Sequence, residues 1–345
     1  MYDVIIVGAG IAGTLLAKKL AEADLKVLLI EGKKIPRHKM CSGLLSAQAR
    51  HILKKEVGKV PSVVCCHPKK MKGMKIYPTI TEPPQDFLES IYNVWRSDFD
   101  YWLTIKASEA GAEVLDQTQL LSFSENEDRT IEVSLKGILG PQKQQARFLV
   151  GADGGTSSIR RSLYKNEKRT WFQFYQTYWK GDIDFPHDWY HVFLDPNFSE
   201  FFAWANVKIG KEGKTILFGT GAAKGSSMPH LNNNFQEYLE EAHGFRAEKL
   251  LFKEACAMPK FFDPSHDYKF GKNNILLIGE ATGLVYIEGI TPALKSAVIA
   301  SDAFLQAGDQ VLQQYEKNVQ PLCRKLKVEW ETILKLFPGF SHKSK

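Results

Sequence analysis

The chain has 345 residues, of which 44% are hydrophobic and 24% charged, with a net charge of +6. Length and composition predict an ordinary soluble globular protein of about two domains. No apolar stretch reaches the length of a membrane span. The five cysteines (Cys41, Cys65, Cys66, Cys256 and Cys323) lack paired C-x-x-C spacing. That argues against a disulfide framework, a zinc site or a cysteine-ligated iron–sulfur cluster, and no metal is expected.

The first strand starts at residue 2 with no signal peptide before it, so a cytoplasmic location is expected. Basic clusters occur at Lys33, Lys34, Arg37, His38 and Lys39, and at Lys69, Lys70, Lys72 and Lys75. They read first as solvated surface, with peripheral contact to anionic lipid or phosphate as the alternative. No motif supports nucleic acid as a partner.

Tyr2 to Val7 is an almost unbroken apolar run, suited to a central parallel strand. Gly8-Ala9-Gly10-Ile11-Ala12-Gly13 follows, then Thr14 to Ala23 with apolar residues at helical spacing. Lys26 to Ile30 is a second strand closed by Glu31. Strand, glycine turn, helix, strand and acid stand in register as a dinucleotide fingerprint. Gly8 permits the tight turn, Gly10 admits a pyrophosphate close to the backbone, and Gly13 lets helix and strand pack. The helix N-terminus offers N–H groups to phosphate, and Glu31 can accept hydrogen bonds from ribose hydroxyls. The fingerprint alone does not separate NAD from FAD.

Ser46 is a plausible cap for a helix from Ala47 to Lys55. Residues 59–85 suit short strands, and Pro83-Pro84 marks a turn. A helix capped by Ser97 or Asp98 is expected to run to Gly111. Strand signals at 113–115, 119–123, 130–135 and 146–150, with a turn at Gly137 to Pro141, predict an antiparallel excursion. Fourteen of the 34 residues from Trp171 to Trp204 are Phe, Tyr or Trp, a β-rich texture. A hairpin around Gly210-Lys211-Glu212-Gly213 is expected, followed by helices at 233–242 and 247–252. Asn274 to Gly279 is a buried strand. A long helix opens near Thr291-Pro292, with Thr291 able to cap it, and a last helix covers 311–336.

The opening fingerprint, Gly151-Ala152-Asp153-Gly154 and Ile278-Gly279-Glu280-Ala281-Thr282-Gly283 together resemble the FAD-dependent monooxygenase and geranylgeranyl reductase superfamily. Its fold is related to para-hydroxybenzoate hydroxylase. The resemblance spans nearly the whole chain and implies FAD. It implies an α/β fold: a Rossmann-like FAD-binding domain in three ββα layers and an antiparallel β-sheet substrate domain. The expected FAD-binding segments are 1–58, 86–165 and 270–310. Segments 59–85 and 166–269 form the substrate domain, and 311–345 a C-terminal helical segment.

The residues implied to hold FAD are Gly8, Gly10, Ile11, Ala12, Gly13, Glu31, Gly32, Arg37, Met40, Cys41, Ser42, Arg96, Leu120, Asp153, Gly154, Gly279, Glu280, Gly283, Gly289 and Ile290. Glu280 departs from the family's Asp. Being one methylene longer, its carboxylate must sit further back or act through water. The helix opening at Gly289 would turn its N-terminus toward the isoalloxazine and favour negative charge there. Arg96, in Trp95-Arg96-Ser97-Asp98-Phe99-Asp100, resembles the family's Arg-x-x-Phe-Asp. A cofactor contact is implied, with a salt bridge to Asp98 or Asp100 as the alternative.

Pro36-Arg37-His38-Lys39-Met40-Cys41-Ser42-Gly43 resembles the geranylgeranyl reductase signature, which makes Cys41 the catalytic candidate. Family enzymes saturate isoprenoid C=C bonds with reduced FAD, so an apolar small molecule or lipid is the implied substrate. Cys41 would assist proton delivery or substrate positioning, and Gly43 would allow close backbone approach. A buried structural thiol is the alternative for Cys41. Tyr286, His38 and Glu288 are further ionisable candidates. Phe202-Ala203-Trp204-Ala205-Asn206-Val207-Lys208 resembles the family's Tyr-x-Trp-x-Phe-Pro-Lys, with Asn206-Val207 in place of Phe-Pro.

No second G-x-G-x-x-G is present, so NAD(P)H or a reduced carrier protein is expected to donate electrons transiently. The alternatives are an FAD-dependent monooxygenase of an aromatic or polyene substrate, and a non-catalytic flavin-binding redox protein. The halogenases' Trp-x-Trp-x-Ile-Pro element is missing.

Overall fold

The computed structural model describes residues 1–169, 171–210, 213–223, 225–259, 268–285 and 288–336. Tyr286, the Lys211-Glu212 turn and the tail 337–345 lie outside the described residues. The chain runs β1 (Tyr2–Val7), α1 (Ile11–Ala21), β2 (Val27–Ile30), β3 (Leu44–Leu45), α2 (Ala47–Glu56), β4 (Cys65–Tyr77), β5 (Gln85–Val94), α3 (Arg96–Glu109), β6 (Glu113–Leu115), β7 (Gln119–Glu125), β8 (Ile131–Gly137) and β9 (Gly140–Gly151). It continues α4 (Ser158–Leu163), β10 (Trp171–Asp182), β11 (Tyr190–Phe193), β12 (Ala203–Gly210), β13 (Gly213–Ala223), α5 (Met228–His243), β14 (Arg246–Pro259), β15 (Gly271–Lys272), β16 (Ile275–Leu277), α6 (Ile290–Gln306) and α7 (Val311–Leu336).

The first sheet has the order β15-β16-β9-β1-β2-β6, parallel from β16 to β6. Its central strands are apolar on both sides because both faces are covered. Val4 and Ile6 meet α1, α3 and α6, while Ile5 and Val7 meet Ile131, Val133 and Leu135 of β8. β9 supplies that second cover. Its first half pairs antiparallel with β8, and its second half lies parallel beside β1. Helices, parallel sheet and the β7–β8–β9 ribbon make the three layers of the α/β fold.

The second sheet runs β14-β10-β13-β12-β11-β4-β5-β3 and is antiparallel apart from the β11–β4 pair. One face packs under Phe235 and Leu239 of α5. The other carries Phe174, Tyr178, Tyr190, Trp204 and Leu217 and is closed by Trp330 of α7.

Four local expectations are corrected. Residues 86–94 belong to the second sheet, because β5 pairs along β4 and receives β3. Residues 247–252 are strand, not helix. They lie within β14, whose pairing with β10 from Trp171↔Pro259 to Asp182↔Arg246 overrides local helix propensity. α3 begins one residue before its expected caps, after Trp95, with no side-chain cap. Thr291 does not cap α6. Its own N–H donates to Glu288 Oε1 at 3.0 Å, so the acid before the helix does that work.

Candidate cofactor and active site

The carboxyl ends of β1, β2, β9 and β16 bring the motif segments together, where open parallel sheets bind ligands. Gly8 has φ +108°, and a Cβ there would stand 2.5 Å from the Ala152 carbonyl oxygen. A Cβ on Gly13 would stand 2.0 Å from the Gly8 oxygen. Both glycines are therefore demanded by the chain's own packing. Gly10 differs, since its nearest neighbour would be Arg37 Nη2 at 3.9 Å. The N-terminus of α1 at Gly10 carries no side-chain cap.

Asp153 accepts the Ser158 N–H (2.7 Å) and hydroxyl (3.0 Å) on Oδ2, while its buried Oδ1 has no partner. An uncapped helix end beside open space, with an orphaned carboxylate oxygen, fits the phosphate and hydroxyl groups of a dinucleotide. Gly279, at φ +61°, lies against Ala12, to which a Cβ would come within 3.1 Å. Glu280 lies between Gly289 and Gly154, at 3.2 and 3.6 Å from their ideal Cβ positions. Lys39, 3.6 Å away, and then Arg96 hold its carboxyl below the usual range against burial. The longer acid is thus accommodated among glycines and anchored by a lysine.

A ladder of charges leads from the acid after β2 to Cys41. Arg37 Nε lies 2.9 Å from Glu31 Oε2, its Nη2 donates to the Ala9 oxygen (3.1 Å), and its Nη1 to Asp100 Oδ2 (3.1 Å). Arg96, buried, grips Asp100 through Nε (2.8 Å) and Nη2 (2.9 Å). The expected alternative for Arg96, a salt bridge with Asp100, is therefore present. Burial acts to lower the Arg96 guanidinium, but Asp100 and the adjacent Cys41 outweigh it and push it up. Asp100 was absent from the expected site set. Its i, i+4 spacing from Arg96 was the available signal.

The remaining predicted residues are spread more widely. Ile11, Ala12, Gly283 and Ile290 are buried, and the Gly283 N–H donates to the Glu280 oxygen at 3.0 Å. Gly32 is exposed after β2. Leu120, on β7, packs with the core between the parallel sheet and β8. Met40 packs against the aromatic face of the second sheet, and Ser42 Oγ lies 3.1 Å from Tyr190 Oη. Cys41 between them is half-buried, its Sγ accepting the Gly43 N–H at 3.3 Å. Gly43 serves a close approach, but to the chain itself: a Cβ would stand 2.0 Å from the Val94 oxygen. His38 is exposed, its ring 4.7 Å from that of Phe252.

The aromatic face is not purely apolar. Trp204 Nε1 donates to Gln176 Oε1 (2.7 Å), Gln176 Nε2 donates to Tyr178 Oη, and Tyr178 Oη donates to Glu254 Oε2 (2.7 Å). Lys208 is buried and held by Asn93 Oδ1 (2.6 Å) and the Val94 oxygen (2.8 Å), 5.2 Å from the Trp95 ring centroid. Burial lowers its ammonium. Neither amide atom of the fully buried Asn206 has a partner. Of these, only Trp204, Asn206 and Lys208 stood in a motif. Gln176 and Tyr178 were readable from strand parity, since every second residue of β10 shares a face.

Protein CbrA of Escherichia coli O6:H1 is 27% identical over 338 residues, covering 94% of this chain and 87% of its own. A geranylgeranyl bacteriochlorophyll reductase-like protein of Thermoplasma acidophilum superposes with a TM-score of 0.80 at 21% identity, covering 99% of this chain and 92% of its own. The myxobacterial FAD-dependent halogenase CndH superposes with a TM-score of 0.74 at 17% identity, covering 97% and 82%. At those identities the structural likeness shows a shared fold. The family model described as FAD binding domain matches residues 1–282, most of the chain, so the protein belongs to that FAD-binding family of oxidoreductase fold and FAD is its cofactor.

Proposed function

We propose that this flavoprotein reduces C=C bonds of a prenyl or other apolar substrate. The observation that supports this most is the aromatic face of the second sheet, onto which Met40 and Ser42, the neighbours of Cys41, both pack. FAD, once reduced, supplies hydride to a substrate carbon. The chain's own residues have three tasks. The glycines and Asp153 hold the dinucleotide. Phe174, Tyr190 and Trp204 exclude water from an apolar substrate and hold it at reacting distance. Cys41, a small and soft side chain, leaves room for the alkene at the edge of that face.

The likeness to the geranylgeranyl bacteriochlorophyll reductase-like protein of Thermoplasma acidophilum agrees with this reading. The electron donor in this proposal is NAD(P)H or a reduced carrier that binds transiently. No helix of the described residues is long and apolar enough to cross a membrane.

The test is anaerobic. FAD-loaded protein is reduced with dithionite, freed of excess reductant and mixed with geranylgeraniol. Return of the oxidised flavin spectrum with formation of a saturated product supports the proposal, and Cys41→Trp should block it by filling the space. Product formed only with oxygen, and carrying its atom, would replace it with a monooxygenase. A flavin that no organic acceptor or oxygen reoxidises with product formation would mark a non-catalytic redox protein.

A further inference from the structure

We propose that Glu254 and Tyr178 form the path by which protons enter the substrate chamber, with the Tyr178 hydroxyl as the group that protonates the substrate. The inference rests on the reductase reading and names the proton donor that reading requires.

The argument starts from an oddity of packing. Gln176 is fully buried and Tyr178 is 2% exposed, within a face built mainly of aromatic and aliphatic side chains. Polar groups in such a place are costly unless bonded, and here they are bonded in a line. The donors fix the direction of that line. An indole N–H can only donate, so Gln176 must turn its oxygen to Trp204 and its NH2 to Tyr178. The amide then donates to Tyr178 Oη, which leaves the phenol to spend its own proton on Glu254.

Glu254 lies on the edge strand β14 between exposed Lys253 and Ala255, within reach of solvent. When Glu254 takes a proton from water, the last link reverses. The carboxyl donates to Oη, and the phenol O–H is released toward the chamber. The ring itself is held in place, stacked at 4.0 Å on Phe252 and 5.8 Å from Trp95. Met40, the neighbour of Cys41, packs against the same cluster as Tyr178, which brings the phenol to the face that Cys41 borders. Burial, then Glu254, keeps the phenol protonated across the working pH range.

The step balances. One alkene carbon receives the hydride that reduced FAD supplies. The other forms a C–H bond with the Tyr178 proton as the Oη–H bond breaks. The phenolate recovers a proton from the Glu254 carboxyl, and Glu254 recovers one from water. The two electrons come from reduced FAD, replenished by NAD(P)H or a reduced carrier.

The experiment uses the full FAD-loaded chain with geranylgeraniol as probe. Tyr178→Phe should slow single-turnover reoxidation by about 10²-fold, with FAD affinity close to wild type and a melting temperature lowered only by the lost partner of the Gln176 amide. Glu254→Gln, which cannot pass a proton to the phenol, should slow the same step, and Glu254→Asp should keep it closer to wild type. Infrared spectra without substrate give a second readout: a carboxyl band absent from Glu254→Gln and shifted in Tyr178→Phe, which removes its hydrogen-bond partner. If wild type is not reoxidised by geranylgeraniol, the reductase reading falls and the proton role with it. If wild type turns over and Tyr178→Phe matches it, the proton role alone is overturned, as it is if the carboxyl band ignores Tyr178→Phe.

Discussion

Among single residues, two glycines of one motif do different jobs, and the geometry separates them. A side chain on Gly13 would collide with the backbone of Gly8 whether or not a ligand is bound, whereas a methyl at Gly10 meets no protein atom closer than 3.9 Å. Gly13→Ala should therefore destabilise the protein by about 1–3 kcal/mol. Gly10→Ala should leave the melting temperature of the apoprotein nearly unchanged while weakening FAD binding at least about tenfold, or roughly 1.4 kcal/mol. Thermal melts of the apoproteins beside FAD titrations decide the matter. Equal loss of stability in both variants would mean that Gly10, too, is only a packing glycine. The fingerprint was legible in the sequence for this reason: backbone sterics permit few residue types, and the spacing records them. Asp153 was legible only through resemblance, since an unpaired oxygen is a property of the folded neighbourhood.

For whole elements, the start of α6 shows how a charge can be placed against a helix end. Glu288 Oε1 accepts the Thr291 N–H, and Ser46, itself the N-cap of α2, donates to Oε2 at 3.3 Å. One carboxylate thus joins the starts of two helices. Burial nevertheless pushes its pKa up. A raised folded-state value means that the native protein holds a proton which the unfolded chain releases. The contribution to stability is complete below the unfolded value and is lost as pH rises through the folded one. Glutamine can accept the Thr291 N–H on its oxygen and donate its amide to the Ser46 hydroxyl, all without ionising. The melting temperature of Glu288→Gln relative to wild type should therefore climb as pH rises above the ordinary glutamate value of about 4.3. A difference that stays flat, or falls, would show that the carboxylate is stabilised in place. Periodicity revealed both helices, but the cap was misassigned to Thr291 because a carboxylate two residues upstream of the helix is an equally good acceptor. The helix expected at 247–252 failed for a related reason. A strand whose partner lies some seventy residues away in β10 leaves no local mark.

Over the molecule as a whole, α7 couples the two sheets. Val311, Tyr315, Val319, Leu322, Cys323 and Leu326 lie along one side of it and pack into the helical layer over the parallel sheet. One turn further, Trp330 leaves that core and enters the aromatic face of the second sheet, its ring 6.2 Å from Phe201. The 3–4 spacing of these residues predicted a helix. It did not predict that the last turn covers the aromatic face, because that depends on where the second sheet stands, and the second sheet was legible only as aromatic texture. This division of labour has a measurable consequence. Trp330→Ala removes a large side chain from the chamber wall while leaving the six anchoring residues in their own core. Stability should drop by no more than about 3–5 kcal/mol. FAD affinity should change little, because the glycines and Asp153 lie at the carboxyl ends of the parallel strands, in a core separate from the cluster that holds Trp330. If that face is the substrate chamber proposed above, oxygen and water then gain entry to it. Reoxidation of the reduced protein by oxygen should accelerate several-fold, while reoxidation by geranylgeraniol slows as the substrate loses a wall. Stopped-flow traces with each acceptor separate the two effects. Acceleration with both would mean that Trp330 gates entry without shaping the bound substrate, and no change with either would remove α7 from the chamber altogether.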